Sequence, residues 1–274
     1  MATIATIAFY LGVIAYSAAS TLFFLDLARR DAPGGPRSTW GPRVLALGAA
    51  LHATHVVTAS LLSRLCPVES LHFGLSFSAL VAVCAYLVLY RRASLYATGA
   101  VIAPVALTFL VAAQFVGVEA ASAAQVSRPL LVFHIAANVL GVGLFVLAGA
   151  SGLFYLFQER RLRHKQAAGF GARLPSLDAL DRATHRLLLV GFPLLTFGVV
   201  TGAVFSQQLA TVGGAALARM LLGYATWFVL ATVLVLRRVA GVRGRRAAYG
   251  TLAGVLGLLL VLMVYAFRPG GHGS

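Results

Sequence analysis

PLLVFHIAANVLGVGLFVLAGASGLFYLFQERRLRHK, residues 129–165, decides the class of this chain. From Leu130 to Phe157 it carries no Asp, Glu, Lys or Arg; then Glu159, Arg160, Arg161, Arg163, His164 and Lys165 follow in close succession. A helix rises about 1.5 Å per residue and a bilayer core is roughly 30 Å thick, so this run is long enough to cross a membrane and to stop in water.

Working outward, the same pattern recurs along the whole chain. Apolar runs are expected to span near 4–26, 44–63, 71–90, 95–117, 130–157, 186–206, 216–236 and 247–267. With 60% hydrophobic and 11% charged residues and a mean hydropathy of +0.89, no soluble core could hide so much apolar surface. The expectation is an all-α polytopic membrane helix bundle of about eight transmembrane helices, one transmembrane domain over 1–274 with no soluble domain appended. Ile4 to Leu25 lacks a basic start and is followed by Arg29-Arg30 rather than a cleavage site, so it reads as a retained span and not a signal peptide.

The net charge of +15 lies in alternate loops. Arg29, Arg30, Arg37 and Arg43 separate spans one and two, and Arg91-Arg92 separate three and four. The 158–185 loop holds Arg160, Arg161, Arg163, Lys165, Arg173 and Arg182, and Arg237, Arg238, Arg243, Arg245 and Arg246 separate seven and eight. The opposite side holds only Arg64, Arg128, Arg219 and Arg268. By the positive-inside rule both termini are outside, and the charge excess belongs to cytoplasmic loops against anionic lipid rather than to nucleic acid.

Ionisable residues inside spans are costly and mark candidate sites. His52 and His55, three apart on span two, share a helix face roughly 12 Å and 16 Å into the core, where they could hold a metal or cofactor or pack against backbone carbonyls. His134 lies one turn into span five from outside, with Asn138 at i+4 positioned to bond a ring nitrogen. His272, in the tail Arg268-Pro-Gly-Gly-His-Gly-Ser274, is delivered by span eight to the same face. Two neutral imidazoles at one face suit the axial positions of a haem iron, so His134 and His272 are the expected metal ligands.

His72, at the outer start of span three, is either a spare axial ligand or an interfacial residue. His185, beside Arg182 and Arg186, is either a ligand receiving haem from the inner side or a residue reaching for the interface. His164 reads as solvated.

Other chemistries lack their signatures. There is no His-Glu-x-x-His, no Gly-x-Ser-x-Gly and no glycine-rich phosphate loop. Cys66 and Cys84 form no C-x-x-C pair. Asp178 and Asp181 are the only close acids, in a loop among arginines, where Ser176 or Asp178 could cap a helix. Glycine pairs Gly198/Gly202 and Gly250/Gly254 read as helix-packing faces. Pro104 and Pro193 should kink their spans. No catalytic residue is expected.

The stretch Leu174 to Ala203, LPSLDALDRATHRLLLVGFPLLTFGVVTGA, resembles the cytochrome c assembly protein family of CcsA, CcmC and HemX-like membrane proteins. So do His134 onward to Gly152-Leu-Phe-Tyr-Leu156, Glu69-Ser-Leu-His-Phe73 and Gly244-Arg-Arg-Ala-Ala248, with the similarity strongest over 130–274. The resemblance implies a multi-pass protein of the bacterial inner membrane that binds haem b near the outer face for cytochrome c assembly. The implied partners are haem and apocytochrome c or another assembly subunit. His134 and His272 match the family's two outer histidines. Those histidines flank a tryptophan-rich loop between spans six and seven, and here Gln207 to Ala216 contains no tryptophan. An alternative follows: a HemX-like regulator of a cytoplasmic haem-biosynthesis enzyme, without haem transfer. A third reading is a small-molecule transporter with a midplane site at His52 and His55, although no inverted repeat is evident.

Overall fold

The computed structural model describes residues 1–28, 38–64, 71–91, 95–114, 128–165, 174–208 and 214–266. In them the chain forms eight α-helices: α1 (Ala2–Ala28), α2 (Trp40–Ser63), α3 (Leu71–Leu89), α4 (Gly99–Ala113, entered through a 3₁₀ turn at Tyr96–Thr98), α5 (Arg128–Arg163), α6 (Leu177–Gln208), α7 (Gly214–Val239) and α8 (Arg245–Ala266). With the 3₁₀ turn counted into α4, all eight are long and apolar enough to cross a membrane. The protein is a multi-pass membrane protein, with helices and no strand among its described residues. Helices are the natural outcome here, because a chain in hydrocarbon must satisfy every backbone N–H and C=O within itself. Side-chain hydroxyls follow the same rule. Ser17, Thr54, Ser78, Ser151 and Thr251 each donate to the carbonyl four residues back.

The helices pack as two closed rings. The first runs α1–α2–α3–α4 and back to α1; the second runs α5–α6–α7–α8 and back to α5. The two rings meet mainly where α3 packs along α5. That makes α5 a member of one ring and the wall of the other. It is the most enclosed span, with 72% of its apolar window buried against 22% for α7. Tyr16, Phe23, Tyr86 and Tyr96 fill the first ring, with Phe23 meeting Tyr86 edge-on at 5.9 Å and the Tyr86 hydroxyl donating to the Tyr96 carbonyl at 3.0 Å. Outward faces carry exposed Ile4, Ile14, Leu61, Phe133, Phe228 and Leu256, the composition of a surface that faces lipid tails.

Two helices are longer than their apolar runs. α5 continues through the charged turn to Arg163, where Glu159 pairs with Arg163 at i, i+4. α6 begins at Leu177, not near 186, because Ser176 caps it by accepting from the Ala179 N–H at 3.3 Å. Asp178 and Asp181 therefore sit in the first turns of a helix, as the capping pattern at Ser176 and Asp178 leads one to expect. Asp178 pairs with exposed Arg182, whereas Asp181 turns inward and pairs with Arg237 at the end of α7. The Gly244 N–H also donates to Asp181 Oδ1 at 3.1 Å. Gly244 adopts φ +70°, a conformation open to glycine at little cost, and it starts the turn into α8.

The described cations at one end of the bundle include Arg43, Arg91, Arg160, Arg163, Lys165, Arg186, Arg238, Arg243, Arg245 and Arg246; the other end presents Arg64. Asp26, Glu159, Asp178 and Asp181, the described acids, all lie at the arginine-rich end.

Candidate functional site

His134 lies at the arginine-poor end of the second ring, between α5 and α6. Its Nδ1 is 2.6 Å from Thr201 Oγ1, a residue 67 positions later. The Thr201 hydroxyl has one proton, and it donates that proton to the Phe197 carbonyl at 2.6 Å. The oxygen must therefore accept from His134, so Nδ1 carries the hydrogen and Nε2 carries the lone pair. This is the arrangement by which an outer partner fixes the tautomer of a metal-binding imidazole. Asn138 bonds the ring as expected, but at the other nitrogen: its Nδ2 sits 3.3 Å from Nε2 and also donates to the His134 carbonyl at 2.8 Å. Asn138 thus steadies the ring, and Thr201 sets its tautomer.

The glycine face of α6 makes room for this pair. A methyl group on Gly198 would collide with the Asn138 amide, and one on Gly202 would meet His134 Cε1 at 3.6 Å. The close packing expected of Gly198 and Gly202 is present, and what it seats is the polar pair on α5. Gly250 and Gly254 act by packing alone, against Val233 and Leu230 of α7. His272, the second expected ligand, lies outside the described residues.

The other histidines separate by what their nitrogens touch. His52, fully buried, has Nδ1 3.1 Å from the Tyr16 hydroxyl and Nε2 2.6 Å from Ser76 Oγ. Both nitrogens are committed to hydroxyls, so His52 ties α1, α2 and α3 together. His55, one turn away, donates from Nδ1 to the Ala5 carbonyl at 3.0 Å, and its Nε2 lies 3.3 Å from Gln114 Nε2. His72 donates from Nδ1 to the Ala113 carbonyl at 2.7 Å and is buried between helices at the start of α3. The structure thus brings His55 toward His72 at one end of the first ring, with His52 a level deeper. His185 stands on α6 at the arginine-rich end, well before Thr201 along the same helix; its Nδ1 is buried with no hydrogen-bond partner among the described residues. His164 is exposed. Among the described residues no three of His, Cys, Asp or Glu converge.

Thr201, Tyr16, Ser76 and the Asp181–Arg237 pair were not legible as site or clamp residues in the sequence. Serine, threonine and tyrosine are common in spans, and nothing local distinguishes the one whose hydroxyl meets a histidine.

A membrane bundle holding a tautomer-fixed histidine near one end of α5 is consistent with the resemblance drawn above. The cytochrome C assembly protein family matches residues 69–271, from the start of α3 to the tail. The chain belongs to the cytochrome c assembly protein family. The match reaches further toward the N-terminus than the stretch of strongest resemblance and includes His72, His134 and Thr201. The chain is similar to Protein HemX of Bacillus subtilis (strain 168), 23% identical over 261 residues, which are 94% of this chain and 92% of that protein. It is similar to Cytochrome c biogenesis protein CcsA of Guillardia theta, 26% identical over 223 residues, 72% of this chain and 70% of that one. Inner membrane protein YpjD of Escherichia coli (strain K12) is 25% identical over 134 residues, 49% of this chain and 50% of that one. No solved structure matches the chain.

Proposed function

We propose that this family member binds haem b at the arginine-poor face, the outer face by the positive-inside rule, and handles it for cytochrome c assembly. The observation that carries the reading is the His134–Thr201 hydrogen bond, which holds the imidazole with Nε2 as the basic nitrogen. A haem iron takes a neutral imidazole by such a nitrogen, and the donor set therefore fits the group. His134 would supply one axial ligand and His272 the other. Haem here is cargo, and the protein acts as a binding and assembly factor rather than a catalyst. It would work in a bacterial inner membrane beside apocytochrome c or another assembly subunit.

The test is the visible spectrum of the purified protein before and after haem loading. A low-spin bis-imidazole spectrum that is lost in the His134→Ala/His272→Ala double variant supports the reading. Absence of haem binding, or an unchanged spectrum in the double variant, overturns it.

A second reading rests on two observations: the similarity to HemX covers nearly the full length of both chains, and the α6–α7 connection lacks tryptophan. In it the exposed Arg160, Arg163, Lys165, Arg186, Arg238 and Arg243 dock an acidic cytoplasmic enzyme of haem biosynthesis. Deleting the gene then changes the level of that enzyme and leaves c-type cytochromes normal; the first reading requires their loss. The transporter reading draws no support from the geometry, since both nitrogens of His52 are already bonded.

A further inference from the structure

His185 stands four residues after Asp181 and seven before Phe192 on α6, and both of those neighbours reach α7. Asp181 pairs with Arg237, and Phe192 stacks on Trp227 with ring centroids 5.6 Å apart. Residues at these spacings share a helix face, so the imidazole lies on the α7-facing side of α6, about 6 Å deeper in the bundle than Asp181. Arg237, Arg238, Arg243 and Asp181 are within electrostatic reach of it. Asp181 and Arg237 neutralise one another, and the same carboxylate takes the Gly244 N–H. Asp178, the other acid of this helix start, pairs with Arg182. Arg238 and Arg243 are exposed, so the charge left facing the ring is positive.

The ring nitrogens differ in surroundings. Nδ1 is enclosed and has no hydrogen-bond partner among the described residues, while the residue as a whole is half-buried. A hydrogen on Nδ1 would be a buried donor with no acceptor, which is costlier and rarer than a buried lone pair with no donor. A cationic ring would add repulsion from the arginines to the same buried N–H. The neutral tautomer with the hydrogen on Nε2 is therefore the stable one, and the ring presents an N–H donor to the edge of the bundle. Just beneath it Leu189, one turn further along α6, is exposed at 52%, and Val239, next to Arg238, is exposed at 81%. Donor and cations thus stand where apolar surface meant for lipid tails begins.

We propose that His185, Arg238 and Arg243 bind the phosphate of one anionic phospholipid in the groove between α6 and α7 at the arginine-rich end. The Nε2–H of His185 donates to a phosphate oxygen, and the two guanidinium groups supply charge-assisted bonds. A phosphodiester is all acceptor and anionic, which matches a site made of donors and cations. An iron ion does not match it: taking Nε2 as a ligand would force the ring hydrogen onto the enclosed Nδ1. A lipid is selected over a soluble phosphate because Leu189 and Val239 lie beside the donors, where only acyl chains cover them favourably. Arg238 and Arg243 are also among the cations that the second reading offers to an acidic enzyme; their apolar surroundings commit these two to lipid. The site lies at the opposite end of the bundle from His134 and is independent of haem.

The test is native mass spectrometry of the purified full chain, titrated with phosphatidylglycerol and with phosphatidylcholine of the same acyl chains. One tightly held phosphatidylglycerol per chain is expected, bound at least about 10-fold more tightly than phosphatidylcholine. His185→Leu removes the donor and should weaken binding about 10-fold, whereas His185→Gln restores an N–H and should recover most of it. Arg238→Gln with Arg243→Gln should lose the preference for phosphatidylglycerol, and Lys165→Gln, exposed at the same end, should keep it. Equal binding of the two lipids, an equal loss in Lys165→Gln, displacement of the lipid by inorganic phosphate, or a haem spectrum altered by His185→Gln would each overturn the proposal. Solid-state NMR of the His164→Gln chain in phosphatidylglycerol bilayers covers the case of a His185 variant that does not fold. A hydrogen on Nε2 of His185 with dipolar coupling to lipid phosphorus supports the site; a hydrogen on Nδ1, or no phosphorus contact, refutes it.

Discussion

Arg237, near the end of α7, donates to both carboxylate oxygens of Asp181 in the first turns of α6, across 56 positions of chain. It also donates to the Asp181 backbone carbonyl at 3.2 Å, and the two side chains are only 6% and 13% exposed. With the Gly244 N–H on the same carboxylate, three segments of the second ring converge on one acid. Arg238 and Arg243 nearby are exposed, whereas Arg237 holds α6, α7 and the α7–α8 turn together.

Removing the acid should hurt more than removing both partners. Asp181→Asn leaves Arg237 buried without its counter-charge and should cost about 3–5 kcal/mol, whereas Asp181→Asn with Arg237→Met should recover much of that loss. Thermal unfolding in detergent, analysed as a double-mutant cycle, measures the difference. Additive losses would show that the pair is not coupled.

The glycine face of α6 gives an internal comparison. Gly198→Ala drives a methyl into the Asn138 amide and should destabilise by about 1–3 kcal/mol. Gly202→Ala meets only His134 Cε1 at ordinary contact distance and should be neutral or slightly stabilising, because alanine favours helix. The same unfolding measurement ranks them, and equal effects would contradict the packing described.

Thr201 should act through His134 and not by itself. Thr201→Val keeps the shape but removes the acceptor for Nδ1–H, and haem affinity should fall by about 10–100-fold. Thr201→Ser restores the hydroxyl and should restore affinity. Haem titration followed at the Soret band distinguishes the three proteins; a valine variant with full affinity would remove Thr201 from the site.

His52 should matter for stability alone. His52→Ala strands the Tyr16 and Ser76 hydroxyls in the first ring and should cost about 1–3 kcal/mol for the lost bonds, with a cavity term added. Its haem spectrum should match that of the unaltered protein. A changed spectrum at full folding would make His52 a ligand after all.

Topology is tested by fusion. A reporter active only in the cytoplasm should be silent after Ser274 and active in the turn at Gly241, between α7 and α8. Burying one arginine at a helix centre costs about 2.5–3.5 kcal/mol, which disfavours any arrangement that pulls Arg237-Arg238 into the core. Activity after Ser274 would place His272 on the wrong side and remove the two-histidine haem site.

The amino-acid sequence by itself determined the eight helices, their alternation and the charged end of the bundle. Each of these follows from a one-dimensional balance: an apolar run pays for its own insertion, and an arginine refuses hydrocarbon wherever it falls. His134 was legible for the same reason, as a polar residue where polar residues are costly. Even Ser176 as a helix cap lay within reach, because a cap acts over three residues. Only the tertiary structure decided what the histidines do. His52 and His55 look alike on α2, yet one meets two hydroxyls and the other a carbonyl and an amide. Those partners lie 24 to 59 positions away, and Thr201 lies 67 from His134. A hydrogen bond is directional and short, so which ring nitrogen keeps its lone pair depends on how the two rings of helices close. Closure is set by packing among α1 to α8 and leaves no periodic trace along the chain.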